Sequence, residues 1–243
     1  MNPPTTLQSE IVTMTRAIRS PTDTSVVPGI SHYRKCIRSH IRDVLETTYA
    51  STCEQLSSQH KTRLVDSFID YHSAKAPEFH HIATEILIFV IEKLWFSPSM
   101  IKVMEYEWLL LTIEINPAEV FKNTDIRHHC IFKNHNVIPN PTLSCIQLPF
   151  SLPIESHKKE TPYETHPSIY YYMICRDHEH DIIYKELDKV DSAIIPTLSQ
   201  SEGMTWKEID LHYTPQFSEP ELMKWLRKTH EMQFITISVQ EAA

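Results

Sequence analysis

From Ser168 to Asp188 the chain reads SIYYYMICRDHEHDIIYKELD, and this stretch decides the fold class of its second half. Ile169 to Arg176 and Asp181 to Leu187 are β-prone runs. The polar tetrapeptide Asp177-His178-Glu179-His180 between them reads as a turn, which makes the pair a hairpin. Three short helical segments follow, and Phe234-Ile235-Thr236-Ile237-Ser238-Val239 closes the module as a third β-prone run. Thr205-Trp206-Lys207-Glu208 and Ser218-Glu219-Pro220-Glu221 both match the capping box, in which a hydroxyl and a carboxylate three residues on satisfy each other's amides. The helix predicted over Glu219 to Glu231 buries Leu222, Trp225 and Leu226 and puts Lys224, Arg227 and Lys228 on neighbouring exposed positions. Pro196 is expected to kink or end the helix that begins near Asp188. Three strands plus three helices make residues 168–243 a small winged-helix-like domain.

Upstream of this module, residues 117–167 carry prolines at 117, 139, 141, 149, 153, 162 and 167, a density that breaks helices and favours linker or edge-strand geometry. Leu143 to Leu152 alternates enough to be one strand, with Cys145, Gln147 and Pro149 on one face. Ser156 to His166 is polar and reads as mobile. The first 116 residues are helical by their apolar spacings of three and four. Leu7, Ile11, Met14 and Ile18 form one stripe, and Ile37, Ile41, Val44, Leu45 and Tyr49 a second. Leu64, Val65, Phe68 and Ile69 form a third, and Ile82, Ile86, Leu87, Val90, Ile91 and Leu94 a fourth. Ser97-Pro98 starts a fifth helix bearing Ile101, Met104, Trp108, Leu109 and Leu111. Thr22 to Pro28 and Ala76-Pro77 read as connectors, and Asn116-Pro117 ends the set. The fold class is therefore α+β: an N-terminal all-α helical bundle (1–116), a Pro-rich connector with one strand (117–167), and the winged-helix-like domain (168–243).

Winged-helix-like modules read DNA or hold a peptide against a sheet edge, and charge separates the two. From Ser168 onward there are 7 Lys or Arg against 13 Asp or Glu. That field repels phosphate, on which DNA affinity largely rests. The whole chain carries −8, which argues against nucleic acid and anionic membranes as partners. No apolar run reaches the roughly 18 residues of a membrane span, and the N-terminus lacks the regions of a signal peptide. Five cysteines without a Cys-x-x-Cys suit buried thiols in a reducing cytoplasm. Only Gly29 and Gly203 are present, too few for a P-loop, a dinucleotide fingerprint or a nucleophile elbow.

Fifteen histidines raise the question of a metal site. His80-His81 and His128-His129 are adjacent pairs whose side chains point about 100° apart on a helix, a poor start for shared ligation. His178-Glu179-His180 sits at a hairpin tip, where polar residues are expected in any case. Glu105 and Glu107 straddle Tyr106 and cannot face one another. No cysteine has an identifiable base. The expectation is no catalytic residue and no metal in this chain. Lys224, Arg227 and Lys228 form a basic patch that reads as a solvated face, with an acidic peptide as its functional alternative.

The helical half resembles the N-terminal domain shared by the HvfC, BufC and MbnC proteins. The matching residues are Tyr33-Arg34, Leu45 and Tyr49, Phe68 and Tyr71, Pro77-Glu78-Phe79, and Tyr106-Glu107-Trp108. Ala50 stands where that family usually has proline. The resemblance continues through Asn140-Pro141-Thr142-Leu143 and Tyr170 to Leu187, and the C-terminal half also resembles PqqD-like peptide recognition elements. Low glycine and high histidine content lean towards the MbnC branch. The resemblance implies a non-catalytic subunit that forms a heterodimer with a TIM-barrel iron oxygenase of the MbnB or HvfB type. It implies binding of the leader of a ribosomally made precursor peptide, whose cysteines the partner's iron converts to oxazolone and thioamide in methanobactin-type copper chelators. Carried onto this sequence, it makes Ile182, Ile183, Tyr184, Lys185, Glu186 and Leu187 the receiving strand. Leu222, Lys224, Trp225 and Lys228 become the flanking helix, and Tyr33, Arg34, Tyr106 and Trp108 the partner interface. A winged-helix DNA-binding regulator is the alternative, and a stand-alone thiol or metal enzyme a third reading.

Overall fold

The computed structural model describes residues 5–19, 29–72, 78–126, 131–152, 168–201 and 203–238. The readings placed on Thr22 to Pro28, Ala76-Pro77, His128-His129, Ser156 to His166 and Val239 lie outside the described residues, as do the side chains of Leu7 and Ile11. The described chain divides into two compact units, 5–109 and 110–238, and the fold is mixed α+β.

In the first unit the described residues form helices only: α1 (Thr5–Arg19), α2 (Ile30–Thr48), α3 (Ala50–Glu54), α4 (Ser58–Tyr71), α5 (Phe79–Glu92) and most of α6 (Pro98–Glu114). Helix α2 is in contact with α1, α3, α4 and α5. Its stripe Ile41, Val44 and Leu45 is buried, as are Leu64, Val65, Phe68 and Ile69 of α4 and Ile82, Ile86, Leu87 and Val90 of α5. Burial of one apolar face per helix is what the spacings of three and four dictate. The second predicted helix breaks at Tyr49, whose φ of −113° and ψ of 49° leave the helical region before α3 resumes. Tyr49 is buried, and its hydroxyl donates to Ala83 O at 2.7 Å. In α1 the predicted Met14 is exposed and Ala17 is buried instead. The small side chain lets Arg34 Nε reach Ala17 O at 2.6 Å.

The second unit holds two three-stranded antiparallel sheets. In one, β3 (Tyr170–Arg176) lies between β2 (Ser144–Leu148) and β4 (Ile182–Glu186). In the other, β1 (Asn136–Pro139) lies between β5 (Met204–Thr205) and β6 (Ile235–Ser238). The predicted hairpin is β3–β4, with Ile174 opposite Tyr184. The closing strand β6 does not join the hairpin. It pairs with β1, a four-residue strand inside the Pro-rich stretch, with Val137 opposite Ile237. Helices α7 (Lys189–Gln200), α8 (Trp206–Tyr213) and α9 (Glu219–Glu231) follow the hairpin and supply most of the core. Ile194, Ile195, Leu198, Ile209, Leu222, Leu226, Phe234 and Ile235 are fully buried there.

Pro196 does not end α7, which runs on to Gln200 with Ile194, Ile195 and Leu198 buried on both sides of the proline. The start of α7 is anchored by a capping box of two aspartates, Asp188 and Asp191. Both predicted capping boxes form, with Thr205 N–H donating to Glu208 at 2.7 Å and Ser218 N–H to Glu221 at 2.9 Å.

Asn140 and Arg176 join the two sheets. The Asn140 main chain donates to Phe234 O, its side-chain amide donates to Arg176 O and Gln233 O, each at 2.9 Å, and its Oδ1 accepts from Thr142. The Arg176 guanidinium is buried and donates to Glu114 O, Asn116 O and Ala118 O. It thus satisfies carbonyls left over at and beyond the C-terminus of α6.

Candidate functional site at the edge of the hairpin sheet

In an antiparallel pair, alternate residues turn their main-chain groups towards the partner strand. Leu187 N–H donates to Tyr171 O at 2.8 Å and Asp177 N–H donates to Asp181 O at 2.9 Å. These two bonds fix the phase between them. The main-chain groups of Asp181, Ile183, Lys185 and Leu187 face β3, and those of Ile182, Tyr184 and Glu186 face the outer edge. Among the described residues β4 pairs with β3 alone, and neither Ile182 nor Glu186 has a main-chain partner on the outer side.

The corresponding edge of β6 is closed. Ile235 O accepts from Asn123 Nδ2 at 2.7 Å, and Ile237 N–H donates to His230 Nδ1 at 3.2 Å. Thr236 Oγ1 donates to Asn123 Oδ1. His230 can accept there because its Nε2 carries the proton and donates to Thr124 O at 2.9 Å. Side chains thus occupy the groups that a further strand would need on β6. On β4 they do not.

Behind the edge, β4 is tied to both flanking helices by one buried carboxylate. Asp191 of α7 has no exposed surface. It accepts from Lys185 Nζ at 2.5 Å, from Asp188 N–H at 2.9 Å and, on its other oxygen, from Trp225 Nε1 at 2.9 Å. Lys185 also pairs with Asp188 at 3.1 Å. Burial raises the Asp188 pKa, but the Asp191 amide and the Lys185 ammonium outweigh it and hold that carboxyl below its ordinary value. Lys185 is the only cation of the strand, and its charge is compensated from within the unit.

The residues expected to contact a peptide therefore divide. Ile182, Tyr184 and Glu186 lie along the edge, with the Tyr184 ring edge-on to Tyr172 at 6.3 Å. Ile183 and Leu187 pack on the core from the other face. Leu222 and Trp225 are in the core and Lys185 is in the ion pair, so these three support the site from inside and offer little surface to a ligand. Lys224 and Lys228 are exposed as expected. Arg227 is not part of an open basic patch, since its guanidinium donates to Ile126 O at 2.6 Å. By helix geometry Lys228 stands about 60° round α9 from Trp225, so it borders the flank that meets Asp191.

Of the four expected interface residues in the first unit, Tyr33 is exposed and Arg34 is half-buried on Ala17. Tyr106 is buried, and Trp108 Nε1 donates to Thr84 Oγ1 at 2.9 Å. Between them Glu107, buried, accepts from Ser51 N–H at 2.6 Å and Thr52 Oγ1 at 2.7 Å, holding the start of α3. Burial raises its pKa, and hydrogen bonds from Thr52 and Ser51 oppose the shift. As anticipated, Glu105 does not meet it and pairs with Lys102.

At the hairpin tip Asp177, Glu179 and Asp181 bring carboxylates within 4.8 Å of one another. Asp177 Oδ1 is committed to the turn, accepting from the Glu179 and Asp181 amides. His178 turns away to Gln233, Nδ1 to Oε1 2.9 Å. Burial pushes the Cys53 thiol up to about 11 and raises that of Cys175 further, so neither is held as a thiolate. Among the described residues no helix is long and apolar enough to cross a membrane. The chain matches no family model and no curated protein. What Tyr33-Arg34 and Tyr106-Glu107-Trp108 imply about a partner thus rests on the sequence alone.

Proposed function

We propose that this chain is a non-catalytic recognition subunit that holds an extended peptide as an added strand on the outer edge of β4. One observation carries the reading: the outward phase of Ile182 and Glu186 on an edge strand, beside a β6 edge that side chains have closed. An edge of this kind supplies regularly spaced amides and carbonyls to an incoming chain, and its side chains supply specificity. The Lys185–Asp191–Trp225 network supports it further by fixing β4 to α7 and α9, so that a peptide meets a rigid edge.

The finer architecture belongs to the same proposal. Helices α7, α8 and α9 with β5 and β6 follow winged-helix order, and β1 takes the central place in their sheet from upstream in the chain. The peptide is the leader of a ribosomally made precursor. The partner is a TIM-barrel iron oxygenase that acts on the cysteines of that precursor, as the sequence resemblance implies.

Ile182→Pro tests the edge. Proline at the first residue of an edge strand removes an outward amide and is the substitution such a strand tolerates best. The folded variant should bind leader peptide at least tenfold more weakly than wild type in isothermal titration, while Ile182→Ala should bind nearly as wild type. Equal affinity of the proline variant would place the peptide elsewhere. For the rival DNA reading, α9 would enter the major groove. Its exposed Lys224 and Lys228 are matched by Glu221 and Glu231, a poor surface for phosphate.

A further inference from the structure

The charges along β4 specify the peptide, given the strand-addition reading on which this step rests. Between Asp177 and Asp188 the one Lys or Arg is Lys185, and Asp188 and Asp191 neutralise it. The exposed charges that remain at the two ends of the strand are negative: Glu179 and Asp181 before it, Glu186 at its end. Between them the edge is apolar at Ile182 and Tyr184, and Ile183 packs on the core. Lys189 stands past Asp188, at the start of α7. The exposed face of α9 does not alter the balance, because Lys224 and Lys228 are flanked by Glu221 and Glu231.

We infer that the occupant of the β4 edge is a peptide with cationic side chains at two positions five residues apart and β-prone residues between them. The spacing follows from the strand. Asp181 and Glu186 are five residues, or about 17 Å, apart along an extended chain. They point to opposite faces, as do residues five apart in the added strand. At that separation the two ends act independently at physiological salt, so each cation must meet its own carboxylate. An acidic peptide, the expectation drawn from the Lys224, Arg227 and Lys228 patch, would face both carboxylates, and Arg227 is occupied by Ile126 O.

The probe is a fluorescein-labelled Ser-Lys-Val-Thr-Ile-Thr-Lys-Ser amide, whose lysines are five apart in either strand direction. Two companions have glutamate in place of both lysines, or both lysines together at one end. Fluorescence anisotropy against the full chain at physiological salt should show the spaced-lysine probe binding roughly tenfold tighter than the glutamate probe. It should also bind several-fold tighter than the adjacent-lysine probe, which controls for general attraction to a chain of charge −8. Asp181→Asn with Glu186→Gln, both exposed, should remove the preference and leave circular dichroism unchanged. Equal binding of the lysine and glutamate probes, or indifference to lysine spacing, overturns the charge assignment while leaving strand addition standing. If no probe binds, or if Ile182→Pro binds all of them as wild type does, strand addition fails and the charge assignment fails with it.

Discussion

Replacing Asp191 with alanine removes a buried carboxylate that ties β4 to α7 and α9. Three donors lose their acceptor at once: the Lys185 ammonium, the Asp188 amide and the buried Trp225 indole N–H. Breaking a buried ion pair from one side costs about 3–5 kcal/mol where the orphaned charge is deep. Here the Lys185 side chain keeps 13% exposure and retains Asp188 at 3.1 Å, which lowers that figure. A stranded indole N–H costs about 1–3 kcal/mol, and the lost capping box about 1 kcal/mol. These losses share one site and do not add, so the expected destabilisation is about 3–4 kcal/mol. Asp191→Asn keeps an acceptor for Trp225 but not the charge for Lys185, and should cost about 2 kcal/mol. Urea denaturation followed by tryptophan fluorescence measures both, with the slope against denaturant unchanged if only stability has moved. The combination Lys185→Met, Asp191→Leu and Trp225→Phe should recover much of the loss, since of the three donors only the amide of the exposed Asp188 is then left without its acceptor, where water can replace it. A cost below about 1 kcal/mol for Asp191→Ala would refute the view that this carboxylate anchors the strand.

Three other changes probe the frame around the site. Asn140→Ala strands the Thr142 donors and the carbonyls of Arg176 and Gln233, and should lower stability by about 2–4 kcal/mol in the same titration. Arg176→Met leaves three carbonyls without a donor and should cost about 2–4 kcal/mol, with hydrogen exchange showing early opening near Glu114 to Ala118. Glu107 is the pH test. Its folded pKa is raised, so the protonated form is favoured in the native state, and wild type should gain stability over Glu107→Gln as pH falls through that raised value towards 4.5. A difference that stays constant over that range, measured by thermal unfolding, would contradict the burial argument.

The hairpin and the capping boxes were legible in sequence because their determinants are local. Thr205 with Glu208 and Ser218 with Glu221 act across three residues, and the turn Asp177 to His180 lies between two β-prone runs. The helices of the first unit were legible for the same reason, although Tyr49, called to a long-range bond with Ala83, interrupts one of them. What the sequence hid depends on distant partners. Asp191 meets Trp225 across 34 residues, Asn123 reaches Ile235 across 112, and Asn140 reaches Gln233 across 93. None of these polar residues carries a local signal for burial. The strand β1 was missed because four residues ending in Pro139 look like linker until β5 and β6 pair on either side. For the candidate site, the β-strand itself is legible in the sequence and the burial of the residues behind it is not. Leu222, Trp225 and Lys185 read as contact residues by type, and only packing shows that they face inward.

Amide hydrogen exchange resolved by residue tests strand addition most directly, with the spaced-lysine peptide present at saturation and absent. The account predicts that the outward amides of Ile182 and Glu186 gain protection on binding. Ile183 and Lys185, already paired to β3, should change little, and β6 should not change. Protection that rises along β6 or α9, with Ile182 and Glu186 unaffected, would contradict it.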